Sequence, residues 1–92
     1  MIKYRTGWNT EIERVEVEKE TAAFVFIKRG GGKLRREAKR SEWTSYFDSF
    51  EEARSYLIER IEAKIRVVQN ELADLHIELQ QVEDMTEKHD GN

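Results

Sequence analysis

The first forty residues alternate apolar and charged positions with a period of two, which is typical of strands with one face in contact with water. Ile2 and Tyr4 fall on one face of a short first strand. Val15 and Val17, each flanked by glutamates, predict a second strand from about residue 11 to residue 19. The run at 22–27 is apolar on both faces, and it therefore predicts the central strand of a sheet.

Three consecutive glycines, Gly30 to Gly32, follow the central strand. Glycine reaches positive φ without steric cost, so this segment predicts the loop of a hairpin. The returning strand, residues 33–40, is strongly basic and has only Leu34 and Ala38 as apolar positions. We expect it at a sheet edge or over a ligand surface.

The second half of the chain reads as one long helix. Ser49 followed by Glu52 fits a capping box, and neither glycine nor proline occurs between residues 49 and 90. Apolar residues then recur at alternating steps of three and four, which is an uninterrupted heptad pattern. These positions are Ile58, Ile61, Ile65, Val68, Leu72, Leu75, Leu79 and Val82.

A helix of this length exceeds the reach of a sheet built from such short strands, so the distal part of the apolar stripe needs another cover. The helix could fold back near Gln69 and Asn70, or a second copy of the chain could cover it. The sequence has no turn signal at that point, which favours self-association. The mixture of isoleucine, valine and leucine at the a and d positions does not specify how many helices associate in the assembly. We expect the interface to contain Ile61, Ile65, Val68, Leu72, Leu75, Leu79 and Val82.

Composition limits the function classes. The chain has 92 residues, enough for one small domain, and 38% of them are charged, with no proline and no cysteine. Disulfides, thiolate metal sites and cysteine nucleophiles are therefore excluded. The N-terminus has no apolar run that would form a signal peptide or a membrane span, so we expect a soluble, intracellular protein without membrane contact.

Charge is segregated along the chain, although the net charge is only -3. Residues 28–40 carry seven basic residues and one acidic residue, whereas residues 48–92 carry twelve acidic and five basic residues. The basic segment indicates an anionic partner. The acidic helical half argues against nucleic acid as that partner, because a duplex would be repelled along it.

An aromatic cluster at residues 41–50 directly follows the basic strand. Aromatic rings stack on bases and guanidinium groups bind phosphate oxygens, so this combination fits a nucleotide. The alternative is that the rings fill the junction between sheet and helix and that the basic side chains are simply solvated. No combination of nucleophile, base and oxyanion donor is apparent, so we expect no catalytic residue, no metal and no cofactor.

Two segments carry a resemblance to a known family: 35–41, Arg-Arg-Glu-Ala-Lys-Arg-Ser, and 46–53, Tyr-Phe-Asp-Ser-Phe-Glu-Glu-Ala, followed by the heptad helix. The chain resembles the phage Thoeris anti-defence sponge family. The resemblance implies a small sheet with C-terminal helical structure, assembly into oligomers, and sequestration of cyclic ADP-ribose isomers without cleavage, in the cytoplasm of an infected bacterial host. Some family members also hold cyclic oligonucleotides at a second site.

The resemblance, together with the cluster, implies that the ligand-binding residues are Arg35, Arg36, Lys39, Arg40, Trp43, Tyr46, Phe47, Phe50 and Arg54. The predicted fold is a single α+β domain over residues 1–92. It has an antiparallel sheet of three or four strands in 1–40, an aromatic junction in 41–48, a long helix in 49–88 and a tail in 89–92. The predicted function is non-catalytic capture of a cyclic nucleotide. The alternative is a protein-binding inhibitor or adaptor, similar to anti-CRISPR proteins, that acts through its acidic coiled-coil helix.

Overall fold

A computed structural model describes residues 1–28 and 30–87 and confirms the α+β class. It contains six strands followed by one helix: β1 (Ile2–Thr6), β2 (Ile12–Glu16), β3 (Lys19–Glu20), β4 (Phe24–Lys28), β5 (Leu34–Ala38), β6 (Ser45–Phe47) and α1 (Phe50–Glu83). The predicted helix end at residue 88 and the predicted tail at 89–92 lie outside the described residues.

The strands form two antiparallel sheets of three strands, in the orders β2-β1-β6 and β3-β4-β5. The predicted small antiparallel sheet followed by one long helix is confirmed, although the structure has two such sheets and one of their strands lies beyond residue 40. The difference comes from β6, which lies inside the predicted junction at 41–48 and pairs with β1 through Thr6 and Ser45. All three residues of β6 are buried, so it shows no alternation that would predict a strand.

The predicted second strand, residues 11–19, is divided between the two sheets. The Val17 amide donates to the Met1 carbonyl oxygen at 2.7 Å, while the next amide, that of Glu18, donates to the Phe26 carbonyl oxygen at 2.9 Å. The chain therefore changes sheets between Val17 and Glu18, and β2 and β3 are two halves of one bent strand.

A second connection joins the sheets at Lys39, just after β5. The Lys39 amide donates to the Ala23 carbonyl oxygen at 2.8 Å, and the Lys39 carbonyl oxygen accepts from the Tyr46 amide at 2.8 Å. The strands consequently form a closed circuit, through hydrogen bonds within and between the sheets and through the continuous chain from β2 to β3. Among the strands that the structure describes, β2 and β5 each pair with only one neighbouring strand, so both keep an unpaired edge.

The glycine loop forms the predicted hairpin between β4 and β5. Gly31 has φ of 89° and Gly32 has φ of 81°, both in the region that favours glycine. β4 is the central strand of its sheet and β5 lies at the edge, as predicted.

The space between the two sheets is filled by a small apolar cluster. Val17 and Val25 are fully buried, and Val15, Ile27 and Tyr46 complete the cluster. The hydrophobic effect of these few side chains is the main stabilising contribution available to a unit of this size.

An ionic cluster lies beside the apolar one. Lys3 is only 8% exposed, and its Nζ lies 2.9 Å from Glu20 Oε2 and also contacts Asp48. Lys39 Nζ lies 2.8 Å from the same Glu20 oxygen. The hydrogen bonds to Asp48 and Glu20 raise the pKa of Lys3, and those from Lys39 and Lys3 lower the pKa of Glu20. Glu20 thus links β3 both to β1 and to the end of β5.

Helix α1 begins as predicted, since the Ser49 hydroxyl accepts a hydrogen bond from the Glu52 amide at 3.1 Å. The helix continues without a break through Gln69 and Asn70, so a fold-back at that point does not occur. The chain divides into two compact units, residues 1–59 and 60–92, and α1 contributes to both. In the first unit, Ala53 and Leu57 are the buried residues of the helix.

We predict that Glu20→Gln lowers the urea midpoint of unfolding at pH 7, because Lys3 and Lys39 lose their shared carboxylate. The pKa of Glu20 is lowered in the folded state, so its contribution is present above the ordinary value of 4.5 and is lost as the pH falls through the folded value. The difference between variant and wild type should therefore shrink below pH 4.5. Circular dichroism during urea unfolding at pH 7 and pH 3 measures both differences.

Glu18→Gln is the matched control, since this exposed carboxylate has no ion pair within the part of the chain that the structure describes. Equal midpoints for Glu20→Gln and Glu18→Gln at pH 7 would contradict the assigned role of Glu20.

Candidate functional site

The predicted ligand-binding residues do not converge on one surface. Trp43 is 64% exposed in the turn before β6, and Arg54 is exposed on α1. Phe50 is about half exposed and contacts the Tyr4 ring edge-on, with ring centroids 6.1 Å apart. Tyr46 and Phe47 are buried residues of β6.

Tyr46 points between the two sheets. Its hydroxyl donates to Glu37 Oε1 at 2.8 Å and accepts from Arg5 Nη1 at 3.3 Å. Burial and the hydrogen bond to Glu37 raise the pKa of Tyr46 to about 12. These contacts connect β1, β5 and β6, which is a structural role.

Phe47 lies on the opposite face of β6, where the first turns of α1 pack. Its ring centroid is 5.0 Å from that of Tyr56, and the Arg40 guanidinium carbon lies 4.3 Å from the Phe47 centroid. Arg40 also donates to the carbonyl oxygens of Tyr46 and Lys39. Arg40 and Phe47, which both belong to the predicted ligand-binding set, are thus in contact with each other.

An open cavity of about 480 Å³ adjoins this pair. Its lining contains one cation and three carboxylates, and consists of Arg40, Phe47, Glu51, Glu52, Ser55, Tyr56 and Glu59. A neighbouring cavity of about 340 Å³ is lined by two basic and two acidic residues, Lys39, Arg40, Asp48 and Glu52, among others. Neither lining has the excess of positive charge that favours a phosphate.

A different surface combines partly buried aromatic rings with basic side chains and no acidic ones. Val25 and Ile27 of β4 face the interior, so the alternate residues Phe24, Phe26 and Lys28 lie on the opposite face. Residues of β3 and β5 that pair directly with these three residues of β4 lie on the same side of the sheet. We call this surface the cationic face; it comprises Lys19, Phe24, Phe26, Lys28, Leu34, Arg36 and Ala38.

Cation–π contacts order the cationic face. The Arg36 guanidinium carbon lies 4.5 Å from the Phe24 ring centroid, and Lys19 Nζ lies 4.7 Å from the Phe26 centroid. Both rings are only partly buried. Within residues 1–28 and 30–87, none of the cations Lys19, Lys28 and Arg36 forms an ion pair, and none of the seven residues of the face is acidic.

Arg35 and Arg36 alternate along β5, and this alternation separates two residues that the sequence analysis grouped together. Arg36 belongs to the cationic face, whereas Arg35 pairs with Ile27 in register and lies on the other side of the strand, where it is exposed at the sheet edge. Lys39 also lies on that other side, in its ion pair with Glu20.

Sequence reasoning missed Lys19, Phe24 and Phe26. The run 22–27 reads as apolar on both faces, but its phenylalanines fall at alternate positions and its β-branched residues alternate with them. That alternation is the signal that separates an aromatic outer face from an aliphatic inner one. Trp8, which is 78% exposed in the loop after β1, was also not singled out.

The predicted interface residues on α1 are exposed in this chain, from 38% for Ile61 to 60% for Val82. None of the described helices is apolar over a stretch long enough to cross a membrane. No group of three or more candidate metal ligands occurs among the residues with described positions. The chain matches no model of a protein family, no curated protein and no solved structure.

We predict that Tyr46→Phe destabilises the first unit by about 1–3 kcal/mol, because the partly buried Glu37 carboxylate loses its hydroxyl donor. Tyr4→Phe is the matched control, since the Tyr4 hydroxyl has no hydrogen bond in the described chain. Urea unfolding followed by circular dichroism compares the two. Equal stability of both variants would contradict a structural role for the Tyr46 hydroxyl.

Proposed function

We propose that the protein is a non-catalytic binder of a phosphate-bearing nucleotide, and that the cationic face holds the ligand. The observation that supports this proposal most is the pair of cation–π contacts, Arg36 over Phe24 and Lys19 over Phe26. They place a cation that can bind a phosphate over the face of an aromatic ring, and a base stacks on that ring when the cation turns toward the phosphate.

The electrostatics of the face favour an anion. Lys19, Lys28 and Arg36 have no competing carboxylate on the same face, so an incoming phosphate would meet only positive charge. The cavity beside Arg40 has three glutamates in its lining, which would repel the same phosphate. The cationic face is therefore more favourable for a phosphate than the predicted junction, and it includes Arg36 from the predicted set.

The dimensions of the face fit a small nucleotide. Phe24 and Phe26 are two residues apart on one strand, a spacing of about 7 Å, and neighbouring strands are about 4.8 Å apart. The face therefore offers room for one or two bases with their phosphates. A long nucleic acid carries more phosphates than the three cations of the face can contact, and the acidic helical half of the sequence is unfavourable for it.

Binding without cleavage is consistent with the side chains of the face. It consists of two lysines, one arginine and four apolar residues, and it contains no carboxylate, hydroxyl or imidazole that could act as a nucleophile or general base. The resemblance to the Thoeris anti-defence sponge family gives the proposal its specific form. In that form the ligand is a cyclic ADP-ribose isomer, and the protein removes this immune signal by stoichiometric capture.

A thermal-shift panel tests the proposed function. The ligands are cyclic ADP-ribose isomers, cyclic dinucleotides, linear ADP-ribose, NAD and a single-stranded oligonucleotide, because a ligand of the native state raises the melting temperature. The proposal expects a shift with a cyclic isomer and intact ligand after the protein is denatured. A shift with the oligonucleotide alone would overturn it in favour of nucleic-acid binding, and no shift with any ligand would favour the protein-binding alternative.

We predict that Arg36→Ala weakens nucleotide binding roughly ten- to hundredfold, the loss expected for one charge-assisted hydrogen bond. Arg14→Ala is the matched control, because Arg14 is also an exposed strand arginine without an ion pair in the described residues but lies in the other sheet. Isothermal titration calorimetry with the ligand identified in the panel measures both variants. Equal affinities for the two variants would exclude the cationic face as the binding site.

A further inference from the structure

The apolar stripe on α1 is fully formed and exposed. Helix α1 is continuous from Phe50 to Glu83, and every described residue from position 61 onward is exposed. The stripe from Ile58 to Val82 spans three and a half heptads, enough for a coiled coil. Exposed apolar surface of this extent marks an interaction site.

The geometry points to a second copy of this chain as the occupant of the stripe, bound in antiparallel orientation with the two helices in full overlap. The a positions of the heptads are Ile58, Ile65, Leu72 and Leu79, and the d positions are Ile61, Val68, Leu75 and Val82. In the fully overlapped antiparallel pair, each a residue lies opposite a d residue of the other copy. All eight positions are then covered, in the layers Ile58 with Val82, Ile61 with Leu79, Ile65 with Leu75, and Val68 with Leu72. A shift by one heptad in either direction leaves part of the stripe exposed.

The distribution of side-chain shapes favours this orientation. The first four positions of the stripe are β-branched, and three of the last four are leucine. An antiparallel pair therefore places a β-branched residue against leucine in three of four layers, which gives layers of similar volume. A parallel pair would place like against like, and it lacks the pattern of β-branched a with leucine d that favours parallel dimers.

The flanking charges favour the same orientation. Residues at g positions meet each other across an antiparallel pair, so Lys64 lies near Glu78 of the second copy, and this contact occurs twice by symmetry. A parallel pair instead brings g residues near e residues, where Glu78 meets Glu83 twice and Lys64 meets only Gln69. The antiparallel pair has one like-charge contact, between the two Glu71 side chains, at its symmetry axis.

Crosslinking of single-cysteine variants of the full chain tests the orientation, because the natural sequence contains no cysteine. Ile61→Cys and Leu79→Cys are prepared separately and treated with a short bismaleimide, alone and mixed. An antiparallel pair separates position 61 of one copy from position 61 of the other by about 27 Å along the helix axis, and the same holds for position 79. Each variant alone should therefore not crosslink, whereas the mixture should give a covalent dimer.

Reversal of charge at position 78 gives a second, independent measurement. In the antiparallel pair, Glu78→Lys places two lysines together at both symmetric contacts and should weaken association about tenfold. The double variant Lys64→Glu with Glu78→Lys should restore it. Sedimentation velocity at several micromolar concentrations gives the dissociation constants.

Three results would overturn the inference. Crosslinking of each cysteine variant with itself would indicate a parallel pair, as would stronger association of Glu78→Lys. Wild-type protein that sediments as a monomer at tens of micromolar would exclude a second copy as the occupant. None of these results depends on nucleotide binding, so the inference and the proposed function fail or succeed separately.

Discussion

The carboxylate of Glu20 joins the two sheets of the first unit through side chains, at the junctions that backbone hydrogen bonds close. This residue belongs to a strand of only two residues, which has little backbone pairing of its own. Its ion pairs with Lys3 and Lys39 connect that strand to β1 on one side and to the end of β5 on the other. The attraction between one carboxylate and two cations in a partly buried site stabilises the junction between the sheets. Removal of the Glu20 carboxylate would leave the buried Lys3 with Asp48 as its ion-pair partner.

Because the two sheets enclose the apolar cluster between them, only their outer faces are available for binding. One outer face, that of Tyr4 and Phe47, is covered by the first turns of α1 through ring contacts with Phe50 and Tyr56. The outer face of the other sheet has no such cover from its own unit, and its rings are shielded only by Arg36 and Lys19. Two neighbouring rings in partial contact with water, each beside a cation, distinguish this face from the covered one. This uncovered face is where we propose that the ligand binds.

Local signals in the sequence were sufficient for the central strand, the glycine hairpin and the start of the helix at Ser49, because each depends on neighbouring residues. The division of residues 11–19 between two sheets was not predictable, since it rests on the carbonyl oxygens of Met1 and Phe26. Contacts between residues distant in sequence also decide which side chains share a surface in the candidate site. Tyr46 and Arg36 are both polar-tipped and close in sequence, but only strand register shows that one faces the interior and the other the solvent.

The charge segregation of the chain has a physical consequence for both proposals. Two helical halves with twelve acidic and five basic residues each repel one another at long range, so the apolar seam must overcome this repulsion and added salt should reduce it. A phosphate on the cationic face experiences the opposite effect, because salt screens its attraction to Lys19, Lys28 and Arg36. Added salt should therefore strengthen self-association and weaken ligand binding. This difference in salt dependence distinguishes the apolar interface from the polar binding face of the same chain.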